Sequence, residues 1–110
     1  MRIGFSGSRE GMTERQRRAL RALLERFYEP DSEFHHGDCV GADEEAGAIA
    51  FGIGYRVVIH PPENPALRAF SALFHELLEP KPYLGRNEEI VRSVDLLIAA
   101  PRRIDDRRGG

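Results

Sequence analysis

Short apolar runs alternate with longer amphipathic stretches along this chain. The apolar runs cover 2–6, 33–36, 55–59 and 96–100, and apolar residues recur at helical spacing over 13–27, 41–51 and 84–93. Strand-length runs separated by helix-length stretches are typical of βαβ units and a parallel sheet. The pattern therefore predicts an α/β fold with about four parallel strands. A length of 110 residues suits a single domain.

Residues that begin or end helices sharpen this pattern. Thr13, with Gln16 three residues later, predicts a capping box at the start of the first helix, and Pro30 ends that helix. Asn64 followed by Pro65 is a typical helix start. Apolar residues continue at helical spacing to position 78. The sequence therefore predicts a further helix over 64–78.

Composition excludes several classes of protein. The net charge of −2 provides no overall attraction to nucleic acid or to an anionic membrane. No apolar stretch is long enough to cross a bilayer, and a single cysteine, Cys39, cannot form an internal disulfide. We therefore expect a cytoplasmic protein without a membrane partner, for which nucleic acid is not the expected ligand. Lys81 is the only lysine, so phosphate or carboxylate recognition would depend on arginine.

Four segments with special geometry or polar side chains follow the predicted strands. They are Gly7-Ser8-Arg9, the loop 37–43, His60-Pro61-Pro62 and the residues after Pro101. Ligands of open parallel sheets bind beyond the carboxyl ends of the strands, so these loops are expected to converge on one site. Gly7 permits close backbone approach, while Ser8, nearby N–H groups and Arg9 could bind phosphate. An ordinary tight turn with a surface arginine accounts for the triplet equally well.

The loop 37–43 carries a different chemistry. Gly37 and Gly41 allow a close backbone path to a helix N-terminus. Three acidic residues, at 43–45, crowd the first turn of that helix and would repel phosphate. Asp38 and Asp43 are therefore expected to bind ribose hydroxyls or a base edge. The alternative is structural, with Asp38 as a cap and Asp43 as a partner of the helix dipole.

The remaining candidate side chains predict little chemistry by themselves. No nearby motif pairs a base with Cys39, which is expected to be a small buried apolar residue. The four histidines lack the spacing of metal ligands, so neither a metal nor a cofactor is expected. His60, at the end of a strand, could contact a ligand or satisfy local backbone groups.

Several short motifs, taken in order, resemble one superfamily. The matching segments are Gly7-Ser8-Arg9, Met12-Thr13 with Gln16, His36-Gly37-Asp38-Cys39, Gly41-Ala42-Asp43, His60-Pro61-Pro62, Arg68-Ala69-Phe70, Tyr83-Leu84 with Arg86-Asn87, Ile90-Val91, and Asp95 to Pro101. Together they resemble the SLOG superfamily (Smf/DprA and LOG-like proteins), in particular its small YspA-like bacterial and phage branch. The resemblance implies a Rossmann-like, doubly wound fold and a nucleotide-type ligand, with Arg86 and Asn87 near the pocket.

The sequence departs from the LOG enzymes at one place. Those enzymes have a glycine-threonine turn after the last strand found here, followed by a helix with a catalytic glutamate. This sequence ends at Gly110 without either feature. The expectation is that the chain is truncated at its C-terminus or that a partner chain supplies the missing edge, as in a homodimer.

Three functions follow as hypotheses. The leading one is binding of a nucleotide or nucleotide-derived phosphate ligand. The alternative is a LOG-like nucleoside-monophosphate N-glycosidase, for which Asp38, Asp43 and Glu88 are the catalytic candidates, because such chemistry needs a carboxylate. The second alternative is DprA-like binding of single-stranded DNA, which would weaken steeply with salt.

Overall fold

The structure is a computed structural model, and residues 1–101 are described. The strands are β1 (Arg2–Gly7), β2 (Glu33–His36), β3 (Arg56–Ile59), β4 (Glu76–Leu77) and β5 (Leu96–Ala100). The helices are α1 (Glu14–Phe27), α2 (Ala42–Ile53) and α3 (Tyr83–Ser93), with one turn of 3₁₀ helix at Pro65–Leu67. The expectation of a charged tail after Pro101 concerns residues outside the described range.

All five strands are parallel and follow the order β4-β3-β2-β1-β5. The chain therefore moves outward from β1 through β2 and β3 to β4, then crosses back to add β5 on the other side of β1. This confirms the predicted α/β fold with a Rossmann-like, doubly wound parallel sheet in one compact domain. The strand order reverses between β1 and β5, the position where open sheets of this kind bind ligands.

The helices cover both faces of the sheet. α1 and α2 pack together over the face that contains Ile3, Phe5, Phe34, Val57 and Ile59. Gly4 points to the opposite face because side chains alternate along a strand, and an added Cβ there would lie 3.0 Å from Val94. Val94 directly follows α3, so α3 covers the second face. None of the helices within residues 1–101 has the length and apolar character needed to span a membrane.

The start of α1 confirms the capping box. The Thr13 hydroxyl accepts from the Gln16 N–H at 3.0 Å, and the Gln16 side chain accepts from the Thr13 N–H at 2.9 Å. Two N–H groups that would otherwise lack partners are satisfied in this way. Leu20 and Leu24 then bury the inner face of the helix.

The predicted helix over 64–78 is wrong beyond its first turn. Asn64 does cap Pro65–Leu67, with its side chain accepting from the Ala66 N–H at 3.0 Å. The chain then leaves the helix, because Asp38 binds it: the Ala69 N–H donates to the Asp38 carbonyl at 2.8 Å and the Ser71 N–H to the Asp38 carboxylate at 3.0 Å. Phe70 adopts a left-handed φ of 56° between these bonds. The segment ends in β4, which is the fifth strand that the pattern did not predict.

Candidate functional site

Two adjoining cavities form a cleft beyond the carboxyl ends of β1, β2 and β5. The inner cavity has a volume of about 170 Å³, with polar walls from Cys39, Asp43, Arg86 and Asn87. Its other lining residues are Phe5, Ser6, Gly7, Gly37, Tyr83, Ile90, Val91 and Leu97. The outer cavity, of about 640 Å³, shares Ser6, Gly7 and Tyr83 with it and adds Ser8, Arg9, Glu10, Ala99 and Pro101. The cleft therefore lies where the strand order reverses.

Asp43 is the central acidic group of the inner cavity. The N–H groups of Gly37 and Cys39 each donate to its Oδ2 at 3.2 Å, so the loop after β2 wraps around this carboxylate. Its Oδ1 is buried and accepts no hydrogen bond of normal geometry from residues 1–101, although the Gly7 N–H also faces this carboxylate. An unsatisfied buried polar atom of this kind needs an explanation, and a ligand donor is one.

Burial controls the protonation of Asp43. The residue is 5% exposed, and desolvation raises its pKa from 3.8 to about 6, although the Cys39 N–H, the Arg86 charge and the N–H groups of Gly37 and Gly7 oppose that rise. A carboxyl group that titrates close to neutral pH can act as a general acid or a general base. It can also accept or donate a hydrogen bond to a ligand.

Gly41 joins the loop after β1 to the start of α2. It is the N-cap residue of α2, with a left-handed φ of 101°, and a side chain there would collide with the Arg9 carbonyl. The Ala42 N–H donates to the Ser8 carbonyl at 2.9 Å. The structure thus brings together Gly7, Ser8 and Arg9 with the loop that holds Asp43.

Arg86 lies between the inner cavity and the sheet and is 2% exposed. Its Nη1 donates to the carbonyls of Gly37 and His60, and its Nη2 lies 3.4 Å from the Cys39 Sγ. Its Nε donates to the Asn87 side-chain oxygen at 2.7 Å. Arg86 forms no ion pair with any residue in 1–101, so a buried cation borders the cavity without a carboxylate at contact distance.

The main-chain groups around Ser8 are less open than the sequence predicts. The Ser8 N–H donates to the Ala100 carbonyl at 3.2 Å, and the Glu10 N–H donates to the Ser8 hydroxyl at 3.0 Å. These two N–H groups are therefore not available to a phosphate. Arg9 is exposed, lines the outer cavity and has no hydrogen-bond or ion-pair partner within the described part of the chain. Its guanidinium is the anion-binding group that remains from the predicted triplet.

Of the three catalytic candidates, only Asp43 lines the cleft. Asp38 is fully buried with a left-handed φ of 58°. Its carboxylate binds Arg68 at 3.1 Å and the Ser71 N–H at 3.0 Å, so it fixes the β3–β4 connection instead. The Glu88 side chain is 68% exposed and lies 3.8 Å from Arg92. Sequence reasoning had no means of telling the two loop aspartates apart.

His60 belongs to a separate polar cluster that we call the histidine chain. In it, Glu33 Oε1 lies 2.8 Å from His35 Nε2, and His35 Nδ1 lies 2.7 Å from His60 Nε2. His60 Nδ1 lies 2.8 Å from Glu89 Oε1, and Lys81 Nζ lies 2.9 Å from Glu89 Oε2. Burial lowers the pKa of His60 despite the opposing effect of the hydrogen bond that its Nδ1–H donates to Glu89. The His60 carbonyl accepts a hydrogen bond from Arg86, and His60 itself does not line the cleft.

The alternation of side chains along β2 contained a sequence signal for the histidine chain. Glu33 and His35 share the face opposite Phe34 and His36, and His60 follows the neighbouring strand β3. His36 itself is fully buried, and burial lowers its pKa from 6.5 to about 4, so the ring is neutral. Its Nδ1 accepts from the Asp38 N–H at 2.9 Å. We interpret His36 as a structural support for the loop after β2.

The structure differs from the sequence-based expectation at two residues of the cleft: Cys39 was expected to be buried, and Tyr83 was not predicted to belong to the site. Cys39 is partly exposed rather than buried, and it lines the inner cavity next to Arg86. Tyr83 is the first residue of α3 and lines both cavities. Within residues 1–101, no group of three or more histidine, cysteine, aspartate or glutamate side chains is placed to hold a metal ion.

Comparison with known proteins adds no further identification. No protein-family model matched the chain, and no curated protein or solved structure matched it significantly. The site must therefore be interpreted from its own geometry.

Proposed function

We propose that the cleft binds a nucleotide or a nucleotide-derived phosphate ligand. The observation that carries this proposal is the Asp43 carboxylate, which lines an inner cavity and keeps one buried oxygen that accepts no hydrogen bond of normal geometry from the described residues. Ribose hydroxyls and base N–H groups are donors that would satisfy such an oxygen. The location of the cleft, where the strand order of a doubly wound sheet reverses, is the position expected for this class of ligand.

The charges along the cleft support one orientation of the ligand. Asp43 and Asn87 lie in the inner cavity with apolar walls from Phe5, Ile90 and Leu97, an environment suited to a sugar or a base. Arg9 lies in the outer cavity and has no anionic partner in the described residues. We therefore expect the phosphate in the outer cavity at Arg9 and the nucleoside part in the inner cavity.

Calorimetric titration of the purified chain with AMP, adenosine and ribose 5-phosphate tests this orientation. Arg9→Ala is expected to weaken AMP binding about tenfold, the loss of one charge-assisted interaction, while adenosine binding stays unchanged. Arg21→Ala is the matched control, because Arg21 is exposed on α1 and lines neither cavity. If AMP, other nucleoside monophosphates and ribose 5-phosphate all fail to bind at millimolar concentration, the proposal is wrong.

A second candidate function, hydrolysis of the N-glycosidic bond, is favoured by the raised pKa of Asp43. In this reaction water adds to C1′ of the ribose, the bond to the base breaks, and the base leaves with a proton. An ionised Asp43 would accept the proton of the attacking water, and a protonated one would donate to the leaving base. A carboxyl group with a pKa of about 6 exists in both forms near neutral pH.

Release of free base from a panel of nucleoside monophosphates, followed by chromatography, tests this second function. Asp43→Asn is expected to abolish release, while Asp38→Asn should retain it if the protein stays folded, because Asp38 lies outside the cleft. Release that survives Asp43→Asn would exclude Asp43 as the catalytic group. No release from any monophosphate would leave binding as the function.

A further inference from the structure

Tyr83 lines the cleft but has no role in the binding mode proposed above. Its ring lines the inner cavity, the outer cavity and a third cavity of about 480 Å³ next to Pro62 and Asn64. The residue is 52% exposed, and its hydroxyl makes no hydrogen bond with any residue in 1–101. A ligand that spans the two main cavities must therefore pass this ring.

One side of the Tyr83 ring is held by Arg86. The guanidinium carbon of Arg86 lies 5.0 Å from the ring centroid, within the range of a cation–π contact. Arg86 is itself fixed by the carbonyls of Gly37 and His60. The ring is thus supported from a rigid part of the molecule, while about half of its surface remains exposed.

The neighbouring residue, Leu84, is more exposed than Tyr83 but has a different environment. Leu84 is 78% exposed but lines none of the three cavities. Single exposed apolar residues of that kind are ordinary on protein surfaces. Tyr83 differs because its exposed area lies in the cleft and its ring is supported by Arg86.

We infer that Tyr83 is the platform on which the base of the bound nucleotide stacks, an inference that rests on the proposed function. Aromatic side chains stack on any base because every base has a π-face. With the base on Tyr83, the ribose hydroxyls would reach Asp43 and the phosphate would lie at Arg9. Tyr83 would then select ligands that carry a planar base over sugar phosphates that lack one.

Comparison of AMP with ribose 5-phosphate, which has the same phosphate and sugar but no base, separates stacking from other roles. Tyr83→Ala is expected to weaken AMP binding by roughly 10- to 100-fold and to leave ribose 5-phosphate binding unchanged. Tyr83→Phe should bind AMP like the wild type, because the hydroxyl is not used within the described structure. Leu84→Ala is the matched control on the same turn of α3.

The outcomes of this experiment are distinct. If Tyr83→Ala leaves AMP binding unchanged, or weakens both ligands equally, the stacking inference is wrong while the proposed function stands. If neither these two ligands nor the other nucleoside monophosphates bind the wild-type protein at millimolar concentration, the proposed function fails and the inference fails with it.

A fluorescent variant provides a second readout. The chain contains no tryptophan, so Tyr83→Trp places the protein's only tryptophan at the proposed platform, where its emission can be excited selectively over that of the tyrosines. Stacking predicts that AMP changes its emission strongly and that ribose 5-phosphate does not. Equal responses to the two ligands would contradict stacking.

Discussion

Two buried polar clusters lie on either side of Arg86, and they differ in how completely their atoms are paired. In the histidine chain, each ring nitrogen of His35 and His60 lies within 2.8 Å of another polar atom, and all of these contacts are hydrogen bonds when one of the two rings carries a second proton. In the cluster around Asp43, one carboxylate oxygen accepts no hydrogen bond of normal geometry from residues 1–101. The Arg86 side chain contacts two carbonyl groups, the Asn87 side-chain oxygen and a sulfur, but no carboxylate of the described residues.

This difference in pairing distinguishes a cluster with a structural role from a cluster with a role in binding. A fully paired buried network rigidifies the fold, whereas a partly paired one costs free energy unless something else completes it. The histidine chain connects β2, the residue after β3, and α3, so it holds α3 on the sheet. The Asp43 cluster opens into a cavity that a ligand can fill. If the first cluster serves stability and the second serves binding, substitutions in the two clusters should have different effects on unfolding.

The largest effect is expected from His60→Ala. The substitution leaves His35 Nδ1 and Glu89 Oε1 buried or half-buried without their partner and creates a cavity at a fully buried position. The free energy of unfolding should fall by about 3 kcal/mol, the scale of breaking a buried polar network. Urea unfolding at neutral pH measures it.

Asp43→Asn is the counterpart in the other cluster. The asparagine oxygen can still accept from the Gly37 and Cys39 N–H groups, and the desolvated charge is removed. At neutral pH its free energy of unfolding should stay within about 1 kcal/mol of the wild type. If Asp43→Asn destabilises the protein as much as His60→Ala, the contrast between the two clusters does not hold.

The next largest effect is a difference in pH dependence. The folded protein binds a proton at Asp43 more readily than the unfolded chain, because its pKa rises from 3.8 to about 6. Wild-type stability therefore gains as the pH falls through 6, and Asp43→Asn lacks this gain. Between pH 7 and about pH 4.5, the wild type should become about 2 kcal/mol more stable relative to the variant.

Because of His36, this difference between the wild type and the variant takes the form of different slopes of the free energy of unfolding against pH. Its pKa falls from 6.5 to about 4 on folding, so both proteins lose stability as the pH drops from 6.5 toward 4. In the wild type the Asp43 gain offsets much of that loss, whereas the variant shows it in full. Glu88→Gln, a substitution of an exposed carboxylate, should follow the wild-type curve. Parallel curves for wild type and Asp43→Asn would show that Asp43 does not have a raised pKa.

The smallest effect is expected from Cys39→Ser. The side chain is partly exposed, and its sulfur makes one 3.4 Å contact with Arg86, which a hydroxyl can replace. The free energy of unfolding should change by less than about 1 kcal/mol, the range for such a site. A larger loss would mean that Arg86 depends on the sulfur and that this cluster is structural as well.

The sequence was informative where local rules decide the structure. The Thr13 capping box, the strands β1, β2, β3 and β5, and the convergence of Gly7, Arg9 and Asp43 at one end of the sheet all follow from short-range patterns and from the geometry of parallel strands. Arg86 and Asn87 also line the inner cavity.

Long-range contacts determine the features of the fold and the site that the sequence did not predict. The apolar spacing over 64–78 is helical, but Asp38 binds the backbone at 69 and 71 and prevents the helix. The same contacts with Arg68 and Ser71 take Asp38 out of the cleft. The pairing of His35 with His60 and the position of Tyr83 depend on strand register and on where α3 crosses the sheet. None of these is encoded within a short window of residues.

The contact between Gly37 and Arg86 has a consequence for the order in which substitutions can accumulate. A methyl group at position 37 would occupy the space of the Arg86 guanidinium, which is held in place by two carbonyls. Alanine at 37 would displace the Arg86 guanidinium from its two carbonyl partners, so the substitution costs less stability once Arg86 has been replaced by a shorter residue. Among descendants of this sequence, replacement of Arg86 should therefore more often precede a side chain at position 37 than follow it.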